Sequence, residues 1–233
     1  MMNQQNPLSP TASADETSAE PSFRASAPLR FLAMCVSIIF HPLWIPLAVS
    51  AFLLWAHRYE LPQLDAYTHF RVMSAICVNT LVLPLGTILL LKAAGFVQSV
   101  QLHSRRERVV PYMAIMIFYW WIYRVFAFNQ AFPQILTPFL LGNFIAIILV
   151  FLCNIFFKIS AHATAAGSIL AMMILLSRDP YLDPSLPIMG AILLSGLVLT
   201  SRLILNAHQP LELYIGYVVG FLSQMLAVIW ISG

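Results

Sequence analysis

Seven long apolar segments constrain the fold of this chain more than any other feature. They run over about 31–56, 70–94, 110–130, 134–157, 161–178, 186–204 and 210–231. Each is close to the roughly 20 apolar residues that an α-helix needs to cross a bilayer. No segment alternates polar and apolar residues as the strands of a membrane barrel do. The pattern predicts an all-α fold, a polytopic transmembrane helical bundle. The ambiguous stretch at 129–134 leaves the number of spans at six or seven.

The small share of charged residues points to the same class of protein. Only 9% of the residues are charged and 60% are hydrophobic, whereas soluble domains usually contain about 25% charged residues. We therefore expect a multi-pass integral membrane protein surrounded by lipid, in a bacterial inner membrane. The net charge of +3, with no dense basic run, gives no reason to expect nucleic acid as a partner. The sequence leaves the oligomeric state open.

The chain divides into a tail and one domain. Residues 1–29 are rich in Ser, Ala, Pro and Thr and have no hydrophobic period. Such a segment buries too little apolar surface to offset the entropy lost on ordering. The sequence predicts a disordered N-terminal tail over 1–29 and a transmembrane domain over 30–233.

Helix-breaking and small residues predict how the helices pack. Four prolines lie inside predicted spans, where neighbouring helices can satisfy the freed backbone groups: Pro42, Pro46, Pro84 and Pro138. Two pairs of small residues have the four-residue spacing that lets helix backbones approach closely: Ala163/Gly167 and Gly216/Gly220.

The ionisable residues collect at three places along the chain. "HSRRERVVPY" follows the second apolar segment, "KISAHATAAG" follows the fourth, and "SRLILNAHQPLE" follows the sixth. Two crossings return a chain to the side of the membrane that it left. The spacing therefore predicts that all three clusters lie on one face and share a pocket.

The residue types in these clusters are those that bind and transfer phosphate. Arginine forks match phosphate oxygens two at a time, and a helix start adds free backbone N–H donors. The side chains expected to form this cationic pocket are Arg105, Arg106, Arg108, Lys158 and Arg202, and the helix start that would add backbone donors follows Ser160.

A histidine and a carboxylate lie one helical turn apart in the last cluster. His208 and Glu212 have the spacing at which side chains on a helix meet, and a carboxylate there orients an imidazole as a base or nucleophile. His162, from another helix, is placed to donate a proton to a leaving group. A metal-dependent prenyl transferase is disfavoured, because the aspartates of the chain form no paired carboxylate motif for Mg²⁺.

The third cluster resembles a motif of the type 2 phosphatidic acid phosphatase superfamily. In that motif Ser-Arg is followed after five residues by His and after three more by Asp; here Ser201-Arg202, His208 and Glu212 have the same spacing. The second cluster is similar to Pro-Ser-Gly-His at Ser160 and His162. The first cluster offers Arg108 for the arginine of Lys, six residues, Arg-Pro. The resemblance covers about residues 100–220.

The resemblance implies a metal-independent membrane hydrolase or phosphotransferase acting on a lipid phosphate or pyrophosphate. It implies that His208 forms a phosphohistidine, that Glu212 orients it, and that His162 is the general acid. It also implies that Arg202 and Ser160 hold the phosphate. Arg108 stands for the first-motif arginine, with Arg105 or Lys158 in place of the missing lysine.

Two other functions stay open at the level of sequence. One is a non-catalytic membrane protein that binds anionic lipid in the same pocket. The other is a proton-coupled transporter in which Glu212 and His208 relay the proton. His41, alone in the first segment, is interpreted as a packing residue and left out of the site.

Overall fold

A computed structural model describes residues 25–58, 61, 64–97 and 106–232, and all regular structure in these ranges is helical. The α-helices are α1 (Ala27–Ile39), α2 (Ile45–Ala56), α3 (Ala66–Cys77), α4 (Leu83–Ala93), α5 (Val109–Phe128), α6 (Thr137–Phe156), α7 (Ala161–Leu175), α8 (Ser185–Ile204) and α9 (Pro210–Ser232). Most of the predicted tail lies outside the described residues, and α1 begins three residues before the predicted boundary at 30.

Six helices in the described part of the chain are long and apolar enough to cross a membrane. They are Ala66–Ala93, Val109–Phe128, Gln134–Phe156, Ala161–Arg178, Ser185–Ile204 and Pro210–Ser232. The first of them joins α3 and α4 through a π-helical turn at Val78–Val82. These helices confirm the predicted all-α polytopic bundle and match the lower end of the predicted number of spans.

The prediction of one continuous span over 31–56 is wrong. Helix α1 ends at Ile39, α2 begins at Ile45, and the chain turns between them. Pro42 has no N–H to donate and disfavours the helical conformation at His41 before it. Pro46 lies in the first turn of α2, where a missing N–H costs nothing. The break carries His41 out of any helix.

Helices α7 and α9 are in backbone contact. A Cβ atom on Gly220 would overlap the carbonyl oxygen of Thr164, and one on Gly167 would overlap that of Tyr217. The Ser168 hydroxyl donates a hydrogen bond of 3.2 Å to the Gly220 carbonyl across the interface. The two predicted pairs of small residues thus have the packing role that their spacing indicated.

This contact also fixes where the two helices start relative to each other. A Cβ atom on Gly216, in the second turn of α9, would lie 2.8 Å from the Ser160 carbonyl oxygen, just before α7. The first turns of α7 and α9 therefore lie side by side. The segments that carry His162 and His208 are held together by this packing.

Candidate functional site

A cavity of about 650 Å³ opens among the α1–α2 turn, α5, α6, α7 and the end of α8. At one end it is lined by basic side chains, which we call the cationic end: Arg108, Lys158, His162, Arg202 and His208. Much of the remaining wall is apolar and includes Ile115, Ala146, Ile147 and Val150. Tyr119 also lines it, about 16 Å along α5 from Arg108 at 1.5 Å per residue. The cavity thus joins a basic surface to an apolar channel.

The cationic end gathers residues from all three sequence clusters. Arg108 comes from the first cluster, Lys158 and His162 from the second, and Arg202 and His208 from the third. Arg105 lies outside the described residues. The chain therefore brings five of the predicted side chains together at one end of the bundle.

Ser160 has a different position from the one predicted for it. It is fully buried, and its hydroxyl accepts a hydrogen bond of 3.4 Å from the Ala163 N–H, which caps α7. Its carbonyl oxygen accepts from the Thr164 N–H and hydroxyl. Ser160 therefore shapes the start of the helix that carries His162, and it is not one of the residues lining the cavity.

His208 and Glu212 form a short side-chain contact at the site. His208 Nδ1 lies 2.7 Å from Glu212 Oε2, and the Gln209 N–H donates to the same oxygen at 3.3 Å. A carboxylate only accepts, so Nδ1 carries the proton and Nε2 presents its lone pair. The His208 side chain is 5% exposed and that of Glu212 is 19% exposed. The extra methylene of Glu212, relative to an aspartate, does not prevent the contact.

The surroundings of His208 keep its imidazole neutral near pH 7. Burial lowers the pKa of His208 to about 4, and the positive charges of Lys158 and Arg202 act in the same direction. The hydrogen bond to Glu212 opposes this change in the pKa. A neutral ring with a free Nε2 is the form that a histidine nucleophile needs.

Two of the cations are positioned by backbone carbonyls beside the histidines. Lys158 Nζ donates a hydrogen bond of 2.7 Å to the carbonyl of Ala207, which directly precedes His208. Arg108 is buried, and its guanidinium donates at 3.4 Å to the carbonyl of Ile159. The first bond ties the loop before α7 to the loop before α9, and the second ties the start of α5 to the loop before α7.

Helix α1 supplies a partner that the sequence did not reveal. Arg202 Nη1 donates to the Ser37 hydroxyl at 3.1 Å, and His162 Nε2 lies 3.1 Å from the Ser37 carbonyl oxygen. Arg202 Nε is buried and has no hydrogen-bond partner within the described part of the chain. A buried donor of this kind normally has a protein or solvent partner. It is therefore a candidate to bind an anion in the cavity.

His41 also lies at the site, although the sequence interpretation left it out. Its ring stands edge-on to that of His162 with centroids 5.3 Å apart, and it lines the same cavity. Only the "HP" dipeptide at the break between α1 and α2 could have indicated its position. Nothing in the sequence around Ser37 distinguishes that serine from an ordinary packing residue.

Within the described ranges, no three His, Cys, Asp or Glu side chains are grouped closely enough to hold a metal ion. Comparison of the chain with protein-family models, curated proteins and solved structures finds no match. A functional assignment therefore depends on the chemistry of the site.

Proposed function

We propose that this protein is a metal-independent lipid phosphatase or phosphotransferase of the type 2 phosphatidic acid phosphatase kind, acting in a bacterial inner membrane. One observation carries the proposal: a carboxylate-oriented His208 presents Nε2 on the wall of a cavity that also contains Arg108, Lys158 and Arg202. An oriented neutral imidazole beside several cations suits attack on an anionic phosphate ester or pyrophosphate.

In the first chemical step His208 Nε2 attacks the phosphorus atom of the lipid phosphate. The N–P bond forms as the bond from phosphorus to the leaving oxygen breaks, and a phosphohistidine results. Glu212 stabilises the positive charge that His208 acquires, because its carboxylate accepts the Nδ1 proton in a hydrogen bond. Arg202, Arg108 and Lys158 stabilise the negative charge on the transferred phosphoryl oxygens.

Once the negatively charged phosphate is bound beside it, His162 takes up a proton and gives it to the leaving oxygen. Because His162 Nε2–H is directed at the Ser37 carbonyl, the proton leaves from Nδ1, the other ring nitrogen. In the second step a water molecule or an acceptor hydroxyl attacks the phosphohistidine. Neutral His162 takes up the proton of that nucleophile, which restores the starting state and releases phosphate or a phosphorylated acceptor.

The shape of the cavity favours a lipid over a small soluble phosphate ester. Its wall continues from the cationic end to apolar residues of α5 and α6, among them Ile115, Ile147 and Val150. An acyl or prenyl chain attached to the phosphate would bury its methylene groups there, each worth about 0.8 kcal/mol.

The decisive experiment measures phosphate release by the purified protein in detergent with EDTA present. The panel is phosphatidate, phosphatidylglycerophosphate and polyprenyl pyrophosphate. We expect wild type to release phosphate from at least one of them and His208→Ala to release none. His69→Ala is a matched control, because His69 is an exposed residue of α3 that does not line the cavity. An inert wild-type protein on all three lipids would refute the proposal.

A further inference from the structure

The hydrogen-bond partners of His41, His162 and His208 indicate which ring nitrogen of each carries a proton. His208 and His162 each direct one ring nitrogen at an oxygen that only accepts, so that nitrogen carries a proton. His41 is different: its Nδ1 lies 3.3 Å from the backbone nitrogen of Leu43, whose N–H can only donate. Nδ1 of His41 is therefore an acceptor, and its single proton sits on Nε2.

The same bond favours the neutral form of the His41 ring. An imidazolium would carry a second proton on Nδ1, pointing at the Leu43 N–H, and the turn would lose its hydrogen bond. The charged side chain of Arg202 and the rings of His162 and His208 line the same cavity. His41 is thus unsuited to give up a proton, but it is suited to donate a hydrogen bond from Nε2–H.

The position of His41 follows from the face of α1 that is packed into the bundle. Ala33 and Ser37, four residues apart, are the buried residues of α1, and His41 lies four residues further along, just past the end of the helix. Ser37 already contacts Arg202 and His162 from this face. His41 is exposed to the cavity beside them.

We propose that His41 is an additional phosphate ligand, a neutral donor whose Nε2–H binds an oxygen of the phosphate group held by Arg202. This inference rests on the proposed function only in so far as the cavity binds phosphate. It requires no turnover. A neutral donor strengthens phosphate binding and orients the phosphate, and it adds no further positive charge near His208.

Binding of inorganic phosphate to the purified full-length protein, measured by isothermal titration calorimetry, tests the role of His41. Two substitutions separate its two nitrogens. His41→Asn keeps an acceptor near the position of Nδ1, so the turn bond to Leu43 is retained, but it lacks a donor that reaches as far as Nε2. His41→Gln places its amide N–H₂ near the position of Nε2 and gives up the turn bond.

We expect His41→Asn to weaken phosphate binding by about 10- to 100-fold, the loss typical of one hydrogen bond to a charged group. We expect His41→Gln to bind within a few fold of wild type. His69→Asn serves as the control and should bind like wild type.

The converse results would overturn the inference. If His41→Asn binds phosphate normally and His41→Gln does not, the residue acts only through the turn. If wild type binds no phosphate, there is no ligand for His41 to hold. Phosphate release from the lipid panel is measured in parallel: a wild type that is inert but binds phosphate in a His41-dependent way supports this inference while refuting the proposed enzyme.

Discussion

The hydrogen bond between His208 and Glu212 determines which nitrogen of the imidazole keeps a free lone pair. In Glu212→Gln the side chain keeps its length, but an amide can present N–H instead of oxygen to Nδ1 and cannot stabilise an imidazolium. We expect phosphate release to fall at least about 100-fold, the scale of acid–base contributions in enzymes. Glu212→Asp keeps the charge and should retain more activity than Glu212→Gln. Initial rates of phosphate release under saturating lipid measure both, and equal losses in the two variants would contradict the argument.

The acid limit of activity should report the protonation of His208. The pKa of His208 is lowered to about 4 by burial, so the ring is neutral above that pH and loses its lone pair as the pH falls through it. We expect kcat/KM to decline toward low pH with a midpoint near 4. Glu212→Gln removes a group that raises this pKa, so its residual activity should fall off at a still lower pH. Titration of the substrate is common to both proteins and cancels when their profiles are compared. An acid limb at pH 6 to 7 that is specific to the protein would exclude His208 in this role.

The individual residues differ in how far they could be predicted. His208 and Glu212 belong to one helix start, so their spacing alone determines that they meet. Ser37 and Arg202 are 165 positions apart, and their contact exists only because α1 packs on α8. A contact between residues so far apart in the chain leaves no local sequence pattern from which it could be predicted. The place of His41 in the cavity cannot be predicted for the same reason, since it depends on where the broken first segment docks.

Among the helices, the backbone contact between α7 and α9 holds the site together. In Gly220→Ala the new methyl group would overlap the Thr164 carbonyl, and the two helices would have to separate. We expect a loss of about 1–3 kcal/mol in unfolding free energy, as is usual for overpacking, and lower activity because His162 and His208 would move apart. Thermal unfolding in detergent measures the loss.

The control for Gly220→Ala is Gly196→Ala in α8. A Cβ atom at Gly196 meets nothing within 4 Å, so the alanine should leave stability unchanged or raise it slightly through better helix propensity. Equal unfolding temperatures for the two variants would show that the α7–α9 contact is looser than described.

At the opposite end of α7 a second polar contact joins α2 to the bundle. His57 Nδ1 lies 3.0 Å from the Leu53 carbonyl oxygen, and Nε2 lies 3.3 Å from Asp179 Oδ2. Both partners are acceptors, so the contact is complete only when both ring nitrogens carry protons. Asp179→Asn should cost about 1.5–3 kcal/mol of stability, the range for hydrogen bonds to charged groups.

The same variant should leave catalysis unchanged. Asp179 lies nineteen residues from Ser160, about 25–30 Å along the helix at 1.5 Å per residue. We expect Asp179→Asn to lower the unfolding temperature while phosphate release at 20 °C stays at the wild-type rate. Loss of activity in a protein that is still folded at that temperature would reveal coupling between the two ends of α7.

The helices also show what hydropathy can and cannot predict. The segments after residue 66 were placed within a few residues, because a long apolar run in a membrane chain has few alternatives to a helix. The first segment is equally apolar on both sides of Pro42, so its hydropathy contains no sign of the break. Backbone chemistry decides there: two prolines four residues apart leave no unbroken ladder of hydrogen bonds between α1 and α2.

For the whole molecule, the number of crossings determines which polar residues can meet. The clusters are separated by pairs of complete helices, α5 with α6 and α7 with α8. The number of membrane crossings between one cluster and the next therefore does not depend on the first segment. The wrong prediction of a continuous first span leaves the predicted common face of the three clusters unchanged. This is why a pocket built from three distant stretches could be predicted while its α1 wall could not.

The sidedness of the molecule yields a final prediction. Under the proposed function several lysines and arginines bind phosphate and cannot also be counted as anchors for the positive-inside rule, so charge alone does not orient this bundle. The native Cys35, Cys77 and Cys153 are first replaced by alanine. Single cysteines are then introduced in turn at Lys92, Gln209 and Tyr181, which are exposed positions that do not line the cavity. We expect an impermeant maleimide to label Lys92→Cys and Gln209→Cys from the same side of sealed vesicles. Tyr181→Cys should be labelled only from the other side.

Lipid phosphate confined to one leaflet should be hydrolysed only on the face that exposes Gln209→Cys. Hydrolysis restricted to the Tyr181→Cys face would place the reaction away from the cationic end and contradict the proposed site.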